Sequence, residues 1–343
     1  MTISFLNLGG DLTERLILDY TTHPLMALFI GILGTAITQS SSLTTSIVVG
    51  LVATGFFPDI RSAVPIIIGA NIGTSVTSTI VSLGHIRQEG EFHKAFSAGT
   101  LHDFFNLLAI LVIFPLELSF GFLSNSATFL YESFFSGLSF SSEIHSSSWS
   151  LSAILKNMSS FLLQLLWSNA IVTLVLSFAI LFFSLRTLSQ VLKTLIFNGG
   201  NKERFQQRIF GTPYGSLFWG MGLTALVQSS SITTSLTVPL VATNIVTLRK
   251  VLPFLMGANI GTTLTALIAS ISTPNEASIT IALCHVLYNT FAVILFLTIP
   301  FFQTMAVGLS EALGKMVKKQ KWYGFAYVAV IFFFIPLVLI YFS

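Results

Sequence analysis

Long apolar stretches alternate with short polar ones along most of the chain. Six of them are long enough to cross a bilayer as helices, which takes about 20 predominantly apolar residues. These six are residues 63–83, 94–116, 152–185, 251–271, 279–301 and 323–342. Two more apolar stretches, 25–54 and 214–244, carry a polar block in the middle, so each arm reaches only about half way across a bilayer. The pattern predicts spanning helices beside two broken segments.

The polar block is nearly the same in both broken segments. Residues 35–46 read TAITQSSSLTTS and residues 224–235 read TALVQSSSITTS, and these are identical at nine of twelve positions. Two further signatures follow each block in the same order. They are GANIGT at 69–74 and 257–262, and His-x-x-x-Asn at 102–106 and 285–289. Three signatures in one order predict two copies of a single unit.

The two copies divide the chain into six parts. In order, these are an N-terminal interfacial segment (1–22), repeat 1 (23–116, with hairpin 25–54 and helices 63–83 and 94–116), an extracytoplasmic loop (117–150), a linking helix and cytoplasmic loop (151–210), repeat 2 (211–301, with hairpin 214–244 and helices 251–271 and 279–301), and a basic linker with a last transmembrane helix (302–343). The first part is short and mixed in character, which is typical of an amphipathic helix at a bilayer surface. The serine-rich composition of 117–150 predicts a loop.

The positions of the basic residues distinguish between two topologies. Each broken segment is either a broken spanning helix or a re-entrant hairpin with the polar block at its tip. If both are re-entrant, three helices separate them, the second repeat is inverted, and four basic loops share one side. Those loops, 84–94, 186–213, 245–250 and 302–322, hold thirteen of the sixteen Lys and Arg residues. Because basic loops stay in the cytoplasm, this predicts two inverted repeats whose hairpin tips meet near the midplane.

Composition excludes an ordinary soluble domain. Apolar residues make up 53% of the chain and charged residues only 8%, against about a quarter charged in soluble domains. We expect an all-α polytopic protein of the inner (plasma) membrane, with lipid and no nucleic acid around it. Cys284 is the only cysteine, which excludes an internal disulfide and a thiol-based metal cluster. No second carboxylate obviously accompanies Asp103, which argues against an enzyme that needs an acid–base pair.

The hairpin tips have the chemistry of an anion site. A helix that begins at a tip presents free backbone N–H groups and the positive end of its dipole, and serine hydroxyls add donors. The candidate anion ligands are Gln39, Ser40, Ser41, Ser42, Gln228, Ser229, Ser230 and Ser231. No lysine or arginine obviously accompanies them, which favours a ligand whose charge is balanced by bound cations such as sodium.

Oxygen atoms near the tips are suited to sodium. The candidate ligands are Thr44, Thr45, Ser46, Asn71, Thr74, Thr77, Asp103, Gln228, Ser229, Thr233, Thr234, Ser235, Asn259, Thr262 and Thr265. Thr74 and Thr77 lie three residues apart and so share one face of a helix, as do Thr262 and Thr265. Asp103 falls in a predicted spanning helix, where a carboxylate is costly and marks a functional site by default.

These patterns also have structural interpretations. Serine and threonine in membrane helices commonly serve helix packing, although two near-identical copies at hairpin tips argue against that here. Asn71 and Asn259 with their glycines are compatible with kinked helix contacts, and Asp103 with pairing to a neighbouring histidine. For His102 and His285, a structural and a functional role are equally open.

The paired QSSS blocks, each followed by GANIGT, resemble the type II sodium–phosphate cotransporter family. The stretch from Glu91 to Asn106 and the sequence GTPYG at 211–215 are also similar to that family. The resemblance covers roughly 25–116 and 211–301. Animal members have a long extracellular loop with a disulfide between the repeats, whereas 117–150 is short and has no cysteine.

The resemblance implies sodium-coupled uptake of inorganic phosphate, with sodium as coupling ion and no further cofactor. It implies that the two QSSS blocks bind phosphate. It also implies that the hydroxyls of the second block, together with Thr262 and Thr265, hold sodium. Family members with aspartate at the position of Asp103 tend to be electrogenic.

The residues themselves leave other functions open. A transporter of another oxyanion or of a small carboxylate would use the same tips. A channel or sensor that binds the ligand without coupled flux belongs to a different class. Inverted repeats with two interrupted segments favour alternating access, with the site where the broken helices face each other. A homodimer is compatible with the sequence but is not indicated by it.

Overall fold

The structure is a computed structural model that describes residues 23–57, 59–88, 90–136, 202–272 and 275–342. Within these ranges nearly every residue is helical and none lies in a strand, as the apolar pattern predicts. The interfacial segment predicted at 1–22 and most of the linking part at 151–210 lie outside the described residues.

The helices follow the predicted order. Repeat 1 contains α1 (Pro24–Thr38), α2 (Ser41–Ala53), α3 (Ile60–Leu83) and α4 (Phe92–Phe120), and α5 (Phe122–Phe134) follows it. After α6 (Lys202–Phe210), repeat 2 contains α7 (Pro213–Val227), α8 (Ser230–Ser235), α9 (Thr237–Ala242), α10 (Leu248–Ser272) and α11 (Glu276–Thr298). The chain continues through α12 (Pro300–Lys319), α13 (Trp322–Ala329), a π-helical segment (Val330–Phe334) and α14 (Ile335–Phe342).

Five helical stretches of the described residues are long and apolar enough to cross a membrane. They are α3, α4, α10, α11 and Trp322–Phe342. They coincide with the predicted spans, so the described chain is all-helical and has several apolar helices that fit a polytopic membrane protein. Some helices begin a few residues before their predicted bounds, because a polar side chain caps the first turn. At the start of α3 the carboxylate of Asp59 accepts from the N–H of Ser62 at 2.7 Å.

Two segments predicted as loop and linker are helical, so those predictions are wrong. The predicted loop at 117–150 is helical as far as Phe134, apart from Gly121, which turns the chain with a φ of 62°. The linker predicted from 302 is helix α12, which packs one face against α4. Serine-rich and lysine-rich composition is misleading here, because a helix needs apolar or small residues only on the face that it buries.

Glu117 holds the corner between α4 and α5. Its side chain is buried, and its Oε2 accepts from the backbone N–H groups of Leu123 at 2.6 Å and Ser124 at 3.2 Å. Its Oε1 accepts from the Ser124 hydroxyl at 2.8 Å. The carboxylate therefore caps N–H groups in the first turn of α5 that have no partner in their own helix.

We expect Glu117→Ala to lower the free energy of unfolding by about 2 kcal/mol, because it removes a helix cap and leaves buried donors unpaired. Thermal unfolding of the purified protein in detergent measures this effect. Glu132→Ala, at an exposed position of α5, is the control and should unfold like the wild type. A Glu117→Ala variant as stable as that control would contradict the capping role.

The packing of α1 against α3 recurs between α7 and α10. A Cβ added at Gly31 would overlap the carbonyl oxygen of Ile66, and one added at Gly220 would overlap that of Phe254. Two further glycines complete these contacts from the partner helices, namely Gly69 and Gly257. Small residues let membrane helices approach closely, and both repeats use them at the same sites.

The two repeats contact each other reciprocally. Helix α2 packs against α10 and α11 of the other repeat, while α8 and α9 pack against α3 and α4. The helices that follow each repeat also cross over, since α5 packs against α11 and α12 against α4. The polar block of each repeat therefore packs against helices of the other repeat as well as against its own.

Candidate functional site

The two polar blocks break their helices in the same way. Gln39 ends α1 in the left-handed region with φ 53° and ψ 29°, and Gln228 ends α7 with φ 55° and ψ 27°. The next residues, Ser40 and Ser229, are extended, with φ of −146° and −148°. Positive φ is uncommon outside glycine, so the recurrence of this geometry reflects the recurrence of the sequence.

The first serine of each block is used by the backbone. The Ser40 hydroxyl accepts from the N–H of Leu43 at 3.3 Å, and the Ser229 hydroxyl accepts from the N–H of Ile232 at 3.4 Å. Both are helix N-caps, the position that serine favours. A capping oxygen is already occupied in part, so these two serines differ from the ones that follow.

The second serine of each block is buried but not committed to the fold. Ser41 is 4% exposed and Ser230 is 3% exposed. Neither hydroxyl forms a hydrogen bond to any part of the chain that the structure describes. Both lie in the first turn of a helix, where backbone N–H groups have no intrahelical partner. This combination provides donors for an anion.

Each polar block contacts the GANIGT helix of the other repeat. The Thr265 hydroxyl of α10 lies 3.1 Å from the Ser42 hydroxyl, and the Ser78 and Thr234 hydroxyls lie 3.3 Å apart. The structure therefore brings one predicted anion ligand, Ser42, next to one predicted sodium ligand, Thr265.

Most of the predicted threonine ligands donate to carbonyl groups of their own helices. The donor–carbonyl distances are 3.3 Å for Thr44, 3.2 Å for Thr45, 2.8 Å for Thr74, 3.2 Å for Thr233, 3.4 Å for Thr234, 2.9 Å for Thr262 and 2.7 Å for Thr265. A hydroxyl that donates still has lone pairs with which to accept a hydrogen bond or bind a cation. These contacts orient the oxygens without using up their capacity as ligands.

Asn71 and Asn259 join the repeats through histidines. His102 Nε2 lies 2.6 Å from Asn259 Oδ1, and His285 Nε2 lies 3.4 Å from Asn71 Oδ1. Asn106 adds to this network, because its Oδ1 accepts from Asn259 Nδ2 at 2.8 Å. Both asparagine oxygens, predicted as sodium ligands, are thus close to histidine nitrogens, and sequence reasoning did not find these pairs.

Asp103 lies away from these pairs, between α3 and α13. It is fully buried, and its Oδ2 accepts from Thr79 Oγ1 and from the Tyr327 hydroxyl, each at 3.0 Å. Neither partner belongs to a repeated signature, and Tyr327 comes from a helix outside both repeats. Tyr327 lies in the aromatic-rich last apolar stretch, and nothing in the sequence around it predicts a contact with Asp103.

Four predicted ligands have a buried oxygen with no hydrogen-bond partner in the described residues. These atoms are Gln39 Oε1, Thr77 Oγ1, Asp103 Oδ1 and Ser235 Oγ. Buried polar atoms are rarely left unpaired, and an exception calls for a water, an ion or a functional role. The arrangement offers oxygen ligands for cations beside hydroxyl and N–H donors for an anion.

The chain is similar to known proteins over nearly its whole length. A family model described as Na+/Pi-cotransporter matches residues 1–190 and 180–339. Sodium-dependent phosphate transport protein 2B of Homo sapiens is 28% identical, with 98% of this chain and 62% of the relative covered. The 2B protein of Bos taurus is 30% identical, with 92% and 58% covered, and the 2A protein of Ovis aries is 29% identical, with 96% and 62% covered. The chain thus spans about three fifths of these relatives. No solved structure matches the chain.

Proposed function

The chain belongs to the Na+/Pi-cotransporter family, and from this premise we propose that it couples sodium entry to the uptake of inorganic phosphate by alternating access. The family is one of transporters rather than enzymes. One observation supports the proposal most strongly. In the region where the broken helices contact the opposite repeat, buried hydroxyl and carbonyl oxygens are left without partners in the described chain.

Phosphate is bound in this proposal between the two QSSS blocks. Ser41 and Ser230 provide hydroxyl donors, and the backbone N–H groups at the starts of α2 and α8 add further donors. Ser40 and Ser229 hold the break, and Ser42 lies beside Thr265. Sodium ions that bind to the threonine and glutamine oxygens balance the charge of the anion. Binding of both ligands neutralises the site and permits the movement that exposes it to the other side.

Asp103 is proposed as a ligand of a sodium ion in a second position. Its Oδ2 is fixed by Thr79 and Tyr327, while its Oδ1 has no described partner. A buried carboxylate in a membrane protein is costly unless it is paired. A sodium ion at Oδ1 would supply that pairing.

We also propose that each broken segment is a re-entrant hairpin. The Thr35 hydroxyl donates to that of Thr44 at 3.0 Å. In a continuous helix, residues nine apart are about 13.5 Å apart along the axis. A contact between their side chains therefore supports a sharp reversal at Gln39.

Contacts at the helix ends support inverted repeats. Lys94, near the start of α4, lines the same cavity as Thr247, just before α10. In the matching contact, Asn275 before α11 donates to the carbonyl of Ala53 at the end of α2, at 2.8 Å. Each hairpin thus ends beside the start of the other repeat's second long helix. Within one repeat, the first long helix separates the end of the hairpin from the start of the second long helix, so these two points lie on opposite sides. The end of one hairpin can therefore lie beside the start of the other repeat's second long helix only if the two repeats run in opposite directions. Inverted repeats of this kind are typical of secondary transporters.

Uptake of radiolabelled phosphate into proteoliposomes tests the proposal. A sodium gradient should drive uptake and an equal potassium gradient should not. Arsenate, which resembles phosphate in charge and shape, should compete, whereas sulfate should not. No phosphate uptake with either cation would reject the function. Competition by sulfate would indicate a transporter that also accepts another oxyanion.

We expect Asp103→Gly to lower the charge moved per phosphate, because the sodium ion that this carboxylate binds is no longer carried with the phosphate. Currents from proteoliposomes on a solid-supported membrane, measured beside phosphate uptake, give this ratio. Glu132→Gln, at an exposed position, should leave the ratio as in the wild type. An unchanged ratio in Asp103→Gly would reject the role of this carboxylate in the coupling.

We expect Tyr327→Phe to weaken the apparent sodium affinity by about tenfold, because Asp103 loses a hydrogen bond that involves a charged group. The sodium dependence of phosphate uptake measures this affinity. Tyr323→Phe removes a hydroxyl from the same helix that makes no described hydrogen bond, and it is the matched control. Equal sodium dependence in the two variants would show that Tyr327 does not position the carboxylate.

A further inference from the structure

A cavity of about 430 Å³ lies between the start of α4, the segment that joins α9 to α10, and the C-terminal half of α12. Its polar lining includes His93, Lys94, Asn244, Thr247, Glu311 and Lys315. None of these residues belongs to a QSSS block or to a GANIGT signature. The cavity is large enough for a small ligand and is distinct from the proposed transport site.

Positive charge surrounds this cavity. Lys94 and Lys315 line it, and Lys318 of the same helix lies close enough to raise the positive potential at His93. Within the described residues none of these three lysines forms an ion pair. Glu311 is the one carboxylate in the lining. An excess of unpaired lysine over carboxylate favours an anionic occupant.

Neutral donors also face this region. Leu248, the first residue of the long helix α10, lines the cavity. The N–H groups of Lys250 and Val251 donate to the Thr247 carbonyl, so the free donors at this helix start are the N–H groups of Leu248 and Arg249. His93 also lines the cavity, and its Nδ1 atom has no hydrogen-bond partner among the described residues. Lysine ammonium groups and the start of a helix together are well suited to a phosphate group.

We propose that this cavity binds a phosphate-bearing anion. The group is either the headgroup of a phosphorylated lipid or free inorganic phosphate, since both present the same oxygens. The charge pattern of the sequence places these loops on the cytoplasmic side. The occupant contacts repeat 1 through Lys94, repeat 2 through Thr247, and the following helix through Lys315. It therefore binds three elements together at the base of the second hairpin.

Thiol labelling tests the site without using transport. The native Cys284 is buried, so a cysteine introduced at the exposed residue Glu311 is the main accessible thiol among the described positions. Glu311→Cys keeps all the lysines and lines the cavity. Ala312→Cys, on the same helix but outside the lining, is the matched control. Both variants are placed in phosphatidylcholine nanodiscs and labelled with N-ethylmaleimide, a neutral reagent.

Two additions distinguish the sources of the phosphate group. In one, the nanodiscs contain phosphatidylinositol 4-phosphate; in the other, inorganic phosphate replaces chloride at equal ionic strength in a sodium-free buffer. With a ligand at about ten times its dissociation constant, labelling of Glu311→Cys should slow about tenfold. Labelling at Ala312→Cys should not change. Protection by the lipid alone identifies a headgroup site, and protection by inorganic phosphate alone identifies a site for the free ion.

The lysines are then removed in the labelled background. In Glu311→Cys with Lys94→Gln and Lys315→Gln, the ratio of labelling rates with and without ligand should return to one. The same protein with Lys319→Gln, which lies outside the lining, should keep full protection. Two results would overturn the proposal: no protection by either addition, or protection that persists after both lining lysines are replaced.

Discussion

Ser230→Ala is expected to lower sodium-driven phosphate uptake by about 10- to 100-fold, and Ser41→Ala by a similar factor, which follows from losing one hydrogen bond to a charged ligand. The physical reason is that each hydroxyl is buried but makes no hydrogen bond within the described chain. Removal of the hydroxyl therefore breaks no hydrogen bond within the described chain, so a loss of transport reflects weaker binding of phosphate. Initial rates of uptake into proteoliposomes, with thermal unfolding of the same samples, measure the two quantities separately.

Two further serines provide the comparison. Ser270 is fully buried, and its hydroxyl donates to its own helix at 2.8 Å, so Ser270→Ala should transport normally. Ser229→Ala should instead lower stability, because it removes the N-cap of α8. Normal phosphate uptake by both Ser41→Ala and Ser230→Ala would exclude the QSSS blocks as the phosphate site.

Gly220→Ala is expected to destabilise the fold strongly, although it adds only one methyl group. The new Cβ would overlap the carbonyl oxygen of Phe254, so α7 and α10 must separate. Overpacking of this kind costs about 1–3 kcal/mol, and more where the backbone itself is the obstacle. The melting temperature in detergent and the monodisperse fraction after purification measure the effect.

Gly222→Ala is the matched control, because it lies two residues away on the same helix and no atom is within 4 Å of an added Cβ. There the change should be neutral or stabilising by about 0.5–1 kcal/mol, since alanine favours a helix more than glycine does. Opposite signs for the two variants would identify packing as the cause. Equal stability of Gly220→Ala and Gly222→Ala would mean that α7 and α10 do not need this close approach.

The spanning helices are predictable from the sequence because the bilayer imposes a simple requirement on length and polarity. Helices α5 and α12 are not predictable in this way. Their buried faces pack on other helices of the protein, so a stretch rich in serine or lysine satisfies them. In α12 the buried residues include Ser310 and Gly314, which a search for apolar runs does not detect.

The breaks in the site are also predictable, but its long-range contacts are not. Identical blocks give identical turns at Gln39 and Gln228, because the backbone there depends on local sequence. The contacts of Asp103 with Tyr327 and of His102 with Asn259 join residues 224 and 157 positions apart. No local pattern encodes such a pair, and only the packing of the helices brings the partners together.

The paired histidines and asparagines bear on the origin of the molecule. Each repeat supplies one histidine and one asparagine, so each half is both donor and acceptor toward the other. Two identical copies of one half can form both contacts about a twofold axis, as in an isologous dimer. The chain departs from that symmetry next to the histidines, where one half has Asp103 and the other has Val286. Two copies in one chain make such a division of labour possible, because one copy can change while the other is retained.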